Sequence, residues 1–178
     1  MISIFTDRLE LRGFRAEDGA ELYQYLSDSE VVKFEPYYPF KYDEACREAA
    51  RRAGDESFIA VCLAGTGKLI GNIYLARAEF GSWEIGWVFS RGYQHMGYAT
   101  EAARAMIDYA FRLGAHRVIA MCCPDNAPSW RLMERLNMRR EAYQIRNVTF
   151  KKDSAGNDIW LDTYQYAVLA DEWKAKDK

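Results

Sequence analysis

Proline and histidine are scarce in this 178-residue chain, which has 4 prolines, 12 glycines and 2 histidines. So little proline and glycine excludes a linker-dominated or disordered polypeptide. His95 and His116 are too few and too far apart in sequence to hold a metal, and the 4 cysteines show no Cys-x-x-Cys or Cys/His ligand spacing. Cys46, Cys62 and the adjacent pair Cys122-Cys123 read as reduced, mostly buried thiols, because sequence neighbours make no ordinary disulfide staple. An excess of one charge sign is missing too. With 24 Lys plus Arg against 26 Asp plus Glu, the formal net charge of -2 leaves no cationic surplus for nucleic-acid phosphates or an anionic membrane surface. No run of about eighteen apolar residues exists to span a bilayer, and residues 1–8 lack the basic, apolar and small-residue segments of a secretory signal. These absences predict a cytoplasmic protein without nucleic-acid or membrane partners.

Apolar and aromatic residues are plentiful. The set AVILMFWYC makes up 49% of the chain and aromatics 15%, a larger aromatic load than a core of this size needs. The length predicts one domain over residues 1–178, large enough to bury a core. Residues 8–14 alternate charged and apolar side chains and predict a strand; 16–27 predict a helix, and 43–53 a second helix capped by Asp43. Between the helices, Phe34, Tyr37, Tyr38 and Phe40 share a stretch with two prolines that breaks regular structure.

Strands are predicted at 57–63, 68–76 and 82–90. The last puts Trp83, Ile85, Trp87 and Phe89 on one face and Glu84, Gly86 and Val88 on the other. Gly86 in mid-strand predicts either a bulge or a close backbone approach by something else. Residues 97–113 show the clearest helical period, closed by Gly114. A strand at 117–123, a helix at 127–136 capped by Asn126, a left-handed stop at Asn137, and strands at 139–150 and 157–169 complete the pattern. The order predicts a mixed α/β, or α+β, fold: a single mostly antiparallel sheet with helices on both faces.

The chemistry concentrates at residues 84–110. A strand runs into a short loop, and the helix after it opens on the small residues Gly97 and Ala99. Unpaired N–H groups and the positive end of the helix macrodipole make such a junction a phosphate cradle, although an ordinary strand-to-helix connection has the same outline. Ala64-Gly65-Thr66-Gly67-Lys68 hints at a phosphate-binding loop, but Cys62 and Leu69 occupy positions where that motif demands Gly and Ser or Thr.

Tyr93-Gln94-His95-Met96-Gly97-Tyr98-Ala99-Thr100-Glu101-Ala102 resembles the acetyl-CoA pyrophosphate loop of the GNAT superfamily of N-acetyltransferases. Thr6-Asp7-Arg8-Leu9-Glu10-Leu11-Arg12, Leu69-Ile70-Gly71-Asn72-Ile73, Glu84-Ile85-Gly86-Trp87 and the stretch from Asn126-Ala127-Pro128-Ser129 to Asn137-Met138 resemble further ordered segments. They are most similar to the branch of ribosomal-protein N-terminal alanine and serine acetyltransferases.

The resemblance implies a splayed sheet with pantetheine inserted like an extra strand. It implies that the Trp87, Val88 and Phe89 backbone contacts the cofactor, and that Gln94, His95, Met96, Gly97, Tyr98, Ala99 and Thr100 hold its pyrophosphate. Asn126 would meet the pantetheine arm, with Ser129 beside it. His95-Met96 stands where the family usually has a glycine and a basic residue, so phosphate binding leans on backbone amides. Met133 stands where many members place a tyrosine that returns a proton to the coenzyme thiolate.

The resemblance makes the chain an acetyl-CoA-dependent enzyme that acetylates a primary amine, on a peptide N-terminus or a small molecule. The other reading is a non-catalytic acyl-CoA-binding or protein-interaction module on the same scaffold. Glu84 is the candidate base, or else a solvated strand glutamate; Ser129 is the candidate on the thiolate side, or else a helix-capping serine. Phe34, Tyr37 and Tyr38, with Phe40, are expected to wall the acceptor together with Glu84. A monomer or a homodimer is expected, with no metal.

Overall fold

The computed structural model describes residues 2–174. Its strands are β1 (Ser3–Phe5), β2 (Leu9–Gly13), β3 (Phe58–Leu63), β4 (Leu69–Arg77), β5 (Ser82–Phe89), β6 (Arg117–Cys122), β7 (Arg139–Lys152) and β8 (Asp158–Leu169). The helices are α1 (Gly19–Leu26), α2 (Tyr42–Ala53), α3 (Tyr98–Arg112), α4 (Ala127–Arg135) and α5 (Ala170–Lys174). One eight-stranded sheet runs β1-β2-β3-β4-β5-β6-β8-β7, antiparallel except between β5 and β6. This is the predicted mixed α/β class.

Alternation along the strands explains why helices cover both faces. Ile59 and Val61 of β3, with Ile85 and Phe89 of β5, join a core with Ala102, Met106 and Ala110 of α3 and Leu132 and Met133 of α4. Their neighbours Ala60, Cys62 and Val88 join a second core with Leu22, Tyr25 and Leu26 of α1 and Ala49 of α2. Asn137 takes the left-handed conformation expected of it, at φ 60°, and Gly114 does so at φ 89°.

Two expectations need correction. Residues 16–27 do not form one helix: a 3-10 turn at Ala16–Asp18 precedes α1, and Asp18 is buried there. Its oxygens accept from Arg12 Nη1 and Nη2 at 2.8 and 2.7 Å and from the Arg15 N–H at 2.7 Å, an ion pair that fixes the turn. Asp43 does not cap α2. The cap is Lys41, whose N–H donates to Glu44 Oε2 at 2.7 Å, while Asp43 pairs with Arg47 one turn on. The strand β1 and helix α5 carried no sequence signal, being too short to show a period.

The sheet's decisive feature lies at its centre. The parallel pairing of β5 with β6 covers only Ser82, Glu84 and the residue between, opposite Arg117, Val118 and Ile119. Beyond Glu84 the strands part. β5 stays paired to β4 as far as Phe89, and β6 stays paired to β8 as far as Cys122. From Ile85 to Phe89, the edge of β5 that faces β6 has no strand partner among the described residues.

Candidate active site

A cavity of about 490 Å³ opens where β5 and β6 separate. Glu84 to Val88 of β5 form one wall, Met121 to Cys123 with Asn126, Ser129 and Met133 the opposite one. Residues 34–37 and the Glu48, Arg51 and Arg52 face of α2 close a third side, and Val148, Phe150 and residues 161–163 of the β7–β8 hairpin a fourth.

Glu84 sits at the apex, the last β5 residue paired with β6. It is half-buried, and burial pushes its carboxyl above the ordinary carboxylate range. Gly86, two residues on along the same face, does not mark a bulge. The β4–β5 register is continuous from Gly71 opposite Phe89 to Arg77 opposite Trp83. A Cβ on Gly86 would touch only Tyr74 Cβ, at 3.9 Å. The fold therefore gives no packing reason for glycine here, and the cavity it faces is what a side chain would fill.

The loop after β5 has the backbone of an anion cradle. His95 and Gly97 take left-handed conformations at φ 61° and 84°, and Gly97 precedes the first turn of α3. Alternating left-handed residues make successive N–H groups converge, and the α3 macrodipole adds to that field. The Gln94 side chain donates to the Phe89 carbonyl at 3.2 Å, tying the loop back to the end of β5.

On the other wall, Asn126 precedes α4 and its side chain makes no capping bond. Ser129 lies in the first turn and does not cap the helix either; its hydroxyl is hydrogen-bonded to the Cys122 thiol, which burial pushes up to about 11. Met133 is buried and lines the cavity, where a thioether has no proton to give. Of the four aromatics, Phe34 and Tyr37 line the cavity, but Tyr38 and Phe40 do not. Tyr38 is 59% exposed, and its hydroxyl accepts from the Lys152 N–H at 3.4 Å. Phe40 instead packs against the α1–α2 core, its ring 5.1 Å from that of Tyr37. Trp87 lines the cavity and also packs against the core beside α3, in which Phe89 is buried.

Several residues of the site had no local signal. Arg52 is fully buried in α2, donating to Glu48 Oε1 at 2.7 Å and Asn72 Oδ1 at 3.1 Å, with its guanidinium 4.5 Å from the Phe58 ring centre. Tyr25 donates to the same Asn72 oxygen at 2.9 Å. Asp162 accepts from the Tyr143 hydroxyl at 2.5 Å and the Arg146 N–H at 2.8 Å, holding the cavity side of the hairpin. Lys151 Nζ crosses to the Val32 and Lys33 carbonyls at 2.9 and 3.0 Å, strapping the hairpin to the segment that follows α1.

Glu35 lies under that strap. Burial dominates and pushes its carboxyl up to about 7, against the opposing pull of a Tyr37 hydrogen bond and the charges of Arg52 and Lys151. A carboxyl whose folded pKa exceeds its ordinary 4.5 favours the folded state fully only below 4.5, and that contribution is lost as pH rises toward 7. Glu35→Gln is therefore expected to stabilise the protein at pH 8, by on the order of 2 kcal/mol, and to leave it nearly unchanged at pH 4. Urea unfolding at the two pH values measures the difference.

A model of the acetyltransferase (GNAT) domain matches residues 8–139. The chain belongs to the GNAT acetyltransferase family. It is 41% identical over 175 residues to the uncharacterized N-acetyltransferase YnaD of Bacillus subtilis, covering 96% of this chain and 98% of that one. The crystal structure of a GNAT-family acetyltransferase from Bacillus anthracis superposes with a TM-score of 0.85 at 36% identity, covering 96% of this chain and all of that one. A spermidine N-acetyltransferase from Vibrio cholerae, solved with CoA and spermine, shares the fold at 18% identity and a TM-score of 0.77, covering 95% of this chain and 99% of that one. GNAT enzymes generally use acetyl-CoA as acyl donor and acetylate amines. The resemblance to the ribosomal-protein branch receives no specific support from these matches. Among the described residues, no helix is long and apolar enough to cross a membrane.

Proposed function

We propose that this GNAT protein is an acetyl-CoA-dependent N-acetyltransferase whose acceptor is a primary amine, a small molecule or a peptide N-terminus, reacting directly in a ternary complex. The observation that carries this reading is the parting of β5 and β6 beyond Glu84, which leaves the edge of residues 85–89 facing a cavity with a half-buried carboxyl at its apex. The free edge fits an extended pantetheine arm lying beside Trp87, Val88 and Phe89, and Gly86 leaves room for it. Asn126 and Ser129 face that arm from the opposite wall. The backbone from Gln94 through His95, Met96, Gly97, Tyr98 and Ala99 to Thr100 holds the diphosphate on N–H groups.

Acetyl-CoA supplies an already activated thioester, so the protein has three tasks: to align the amine, take its proton, and stabilise charge on the carbonyl oxygen. Glu84 takes the proton, directly or through one water, as the C–N bond forms; burial raises its carboxyl above the ordinary range and so makes it a stronger base. Backbone N–H groups on the free β5 edge serve the carbonyl oxygen. Ser129, rather than the tyrosine that many family members place at the Met133 position, donates a hydrogen bond to the departing sulfur and relays to it a proton from solvent water. Phe34, Tyr37 and Trp87 wall the acceptor, and above about pH 7, where it is ionised, Glu35 adds a carboxylate that favours a cationic amine over an anionic one.

Met133 favours a second reading, in which the cavity binds acyl-CoA without turnover. Initial rates with both substrates varied test the mechanism. A ternary complex gives intersecting double-reciprocal lines and an enzyme of unchanged intact mass with acetyl-CoA alone. Parallel lines with an acetylated enzyme contradict direct transfer.

A further inference from the structure

Residues 93–99 contain no lysine or arginine. The fold brings one to the loop from far along the chain. Arg8, immediately before β2, donates from Nη1 to the Met96 carbonyl at 3.0 Å and from Nε to Glu101 Oε2 at 2.7 Å. Its guanidinium lies 4.5 Å from the Tyr98 ring centre. The Glu101 oxygen Oε1 accepts from the Thr6 hydroxyl at 2.6 Å and from the Arg8 N–H at 3.0 Å. Burial would raise the Glu101 carboxyl, but the Thr6 and Arg8 hydrogen bonds outweigh it and hold the group below the ordinary range.

The consequence lies in one peptide plane. In a trans peptide the C=O and the following N–H point in opposite directions, and no peptide among the described residues is cis. Anchoring the Met96 carbonyl on Arg8 therefore turns the Gly97 N–H away from Arg8, while Gly97 takes the left-handed conformation that starts α3. Arg8 also neutralises Glu101, a carboxylate in the first helical turn that would repel a bound diphosphate if left unpaired.

We infer that Arg8 is a positioning residue for the donor's diphosphate, holding the Met96 carbonyl so that the Gly97 N–H faces the anion, with Thr6 and Glu101 fixing Arg8 in turn. This rests on the acetyl-CoA reading above. The two-pronged contact needs a guanidinium; a lysine ammonium supplies charge without the fork.

Calorimetric titration of the folded protein with acetyl-CoA, and with S-acetylpantetheine, which lacks the diphosphate, tests the inference. Arg8→Ala is expected to raise the Kd for acetyl-CoA about tenfold, the scale of one lost charge-assisted hydrogen bond, and to leave the Kd for S-acetylpantetheine within about twofold. Arg8→Lys is expected to stay within about threefold of Arg8→Ala. Equal losses on both donors would assign Arg8 a merely structural role, and wild-type affinity in Arg8→Lys would assign it charge alone. Either result, or unchanged acetyl-CoA binding in Arg8→Ala, overturns the inference. A wild-type protein that binds no acetyl-CoA fails differently, removing the donor reading and this inference with it.

Discussion

Glu84→Gln is expected to lower kcat/KM for the amine by on the order of 100-fold or more, the usual contribution of a positioned general base, while acetyl-CoA binds within about twofold of wild type. The substitution keeps shape and hydrogen-bonding capacity, so a large loss isolates proton transfer. The pH profile gives a second readout. A base must be ionised to act, and burial raises the Glu84 pKa, so the acid limb of kcat/KM should lie above the ordinary carboxylate range and disappear in Glu84→Gln. A loss of less than a few-fold across the pH range would return Glu84 to the role of a strand glutamate.

Gly86→Val should separate folding from donor binding. A Cβ at Gly86 meets nothing closer than Tyr74 Cβ at 3.9 Å, and a β-branched residue suits a strand, so the melting temperature should hold or rise. KM for acetyl-CoA should nevertheless increase about tenfold or more, because the new side chain occupies the cavity; one blocked contact of 1.4 kcal/mol already gives that factor. Gly71 is the internal contrast. A Cβ there would lie 2.6 Å from the Val88 carbonyl oxygen and 2.7 Å from Phe89 Cδ1, so Gly71→Ala should destabilise the fold itself. Unchanged KM in a well-folded Gly86→Val protein would remove the donor from this groove.

The parts of this site that were legible in the sequence are those built by neighbouring residues. The alternation along β5 put Glu84, Gly86 and Val88 on one face, and the small residues Gly97 and Ala99 marked the loop and the opening of α3. Long-range contacts left no such trace. Arg8 and Glu101 stand 93 residues apart, and Lys151 and Val32 stand 119 apart, so only the closed sheet joins them. Glu35 reads as one more surface acid in a proline-broken stretch until the β7–β8 hairpin covers it.

The aromatic surplus divides in the same way. Phe34, Tyr37, Phe58, Tyr74 and Phe150 line the cavity, Trp83 and Phe89 pack on the α3 side of the sheet, and Trp87 does both. Tyr143 and Trp160 of the closing hairpin are more than half exposed, at 55% and 52%. Composition showed the load; topology decided which rings face the cavity.

Release of free CoA thiol from acetyl-CoA across a panel of small amines and N-terminal peptides tests the central claim most directly, with the acetylated amine identified by mass. The account predicts catalytic turnover with at least one amine, thiol and acetyl-amine appearing in equal amounts, and a preference for cationic over anionic acceptors. Tight acetyl-CoA binding without thiol release for any acceptor would contradict it and make the cavity a binding module.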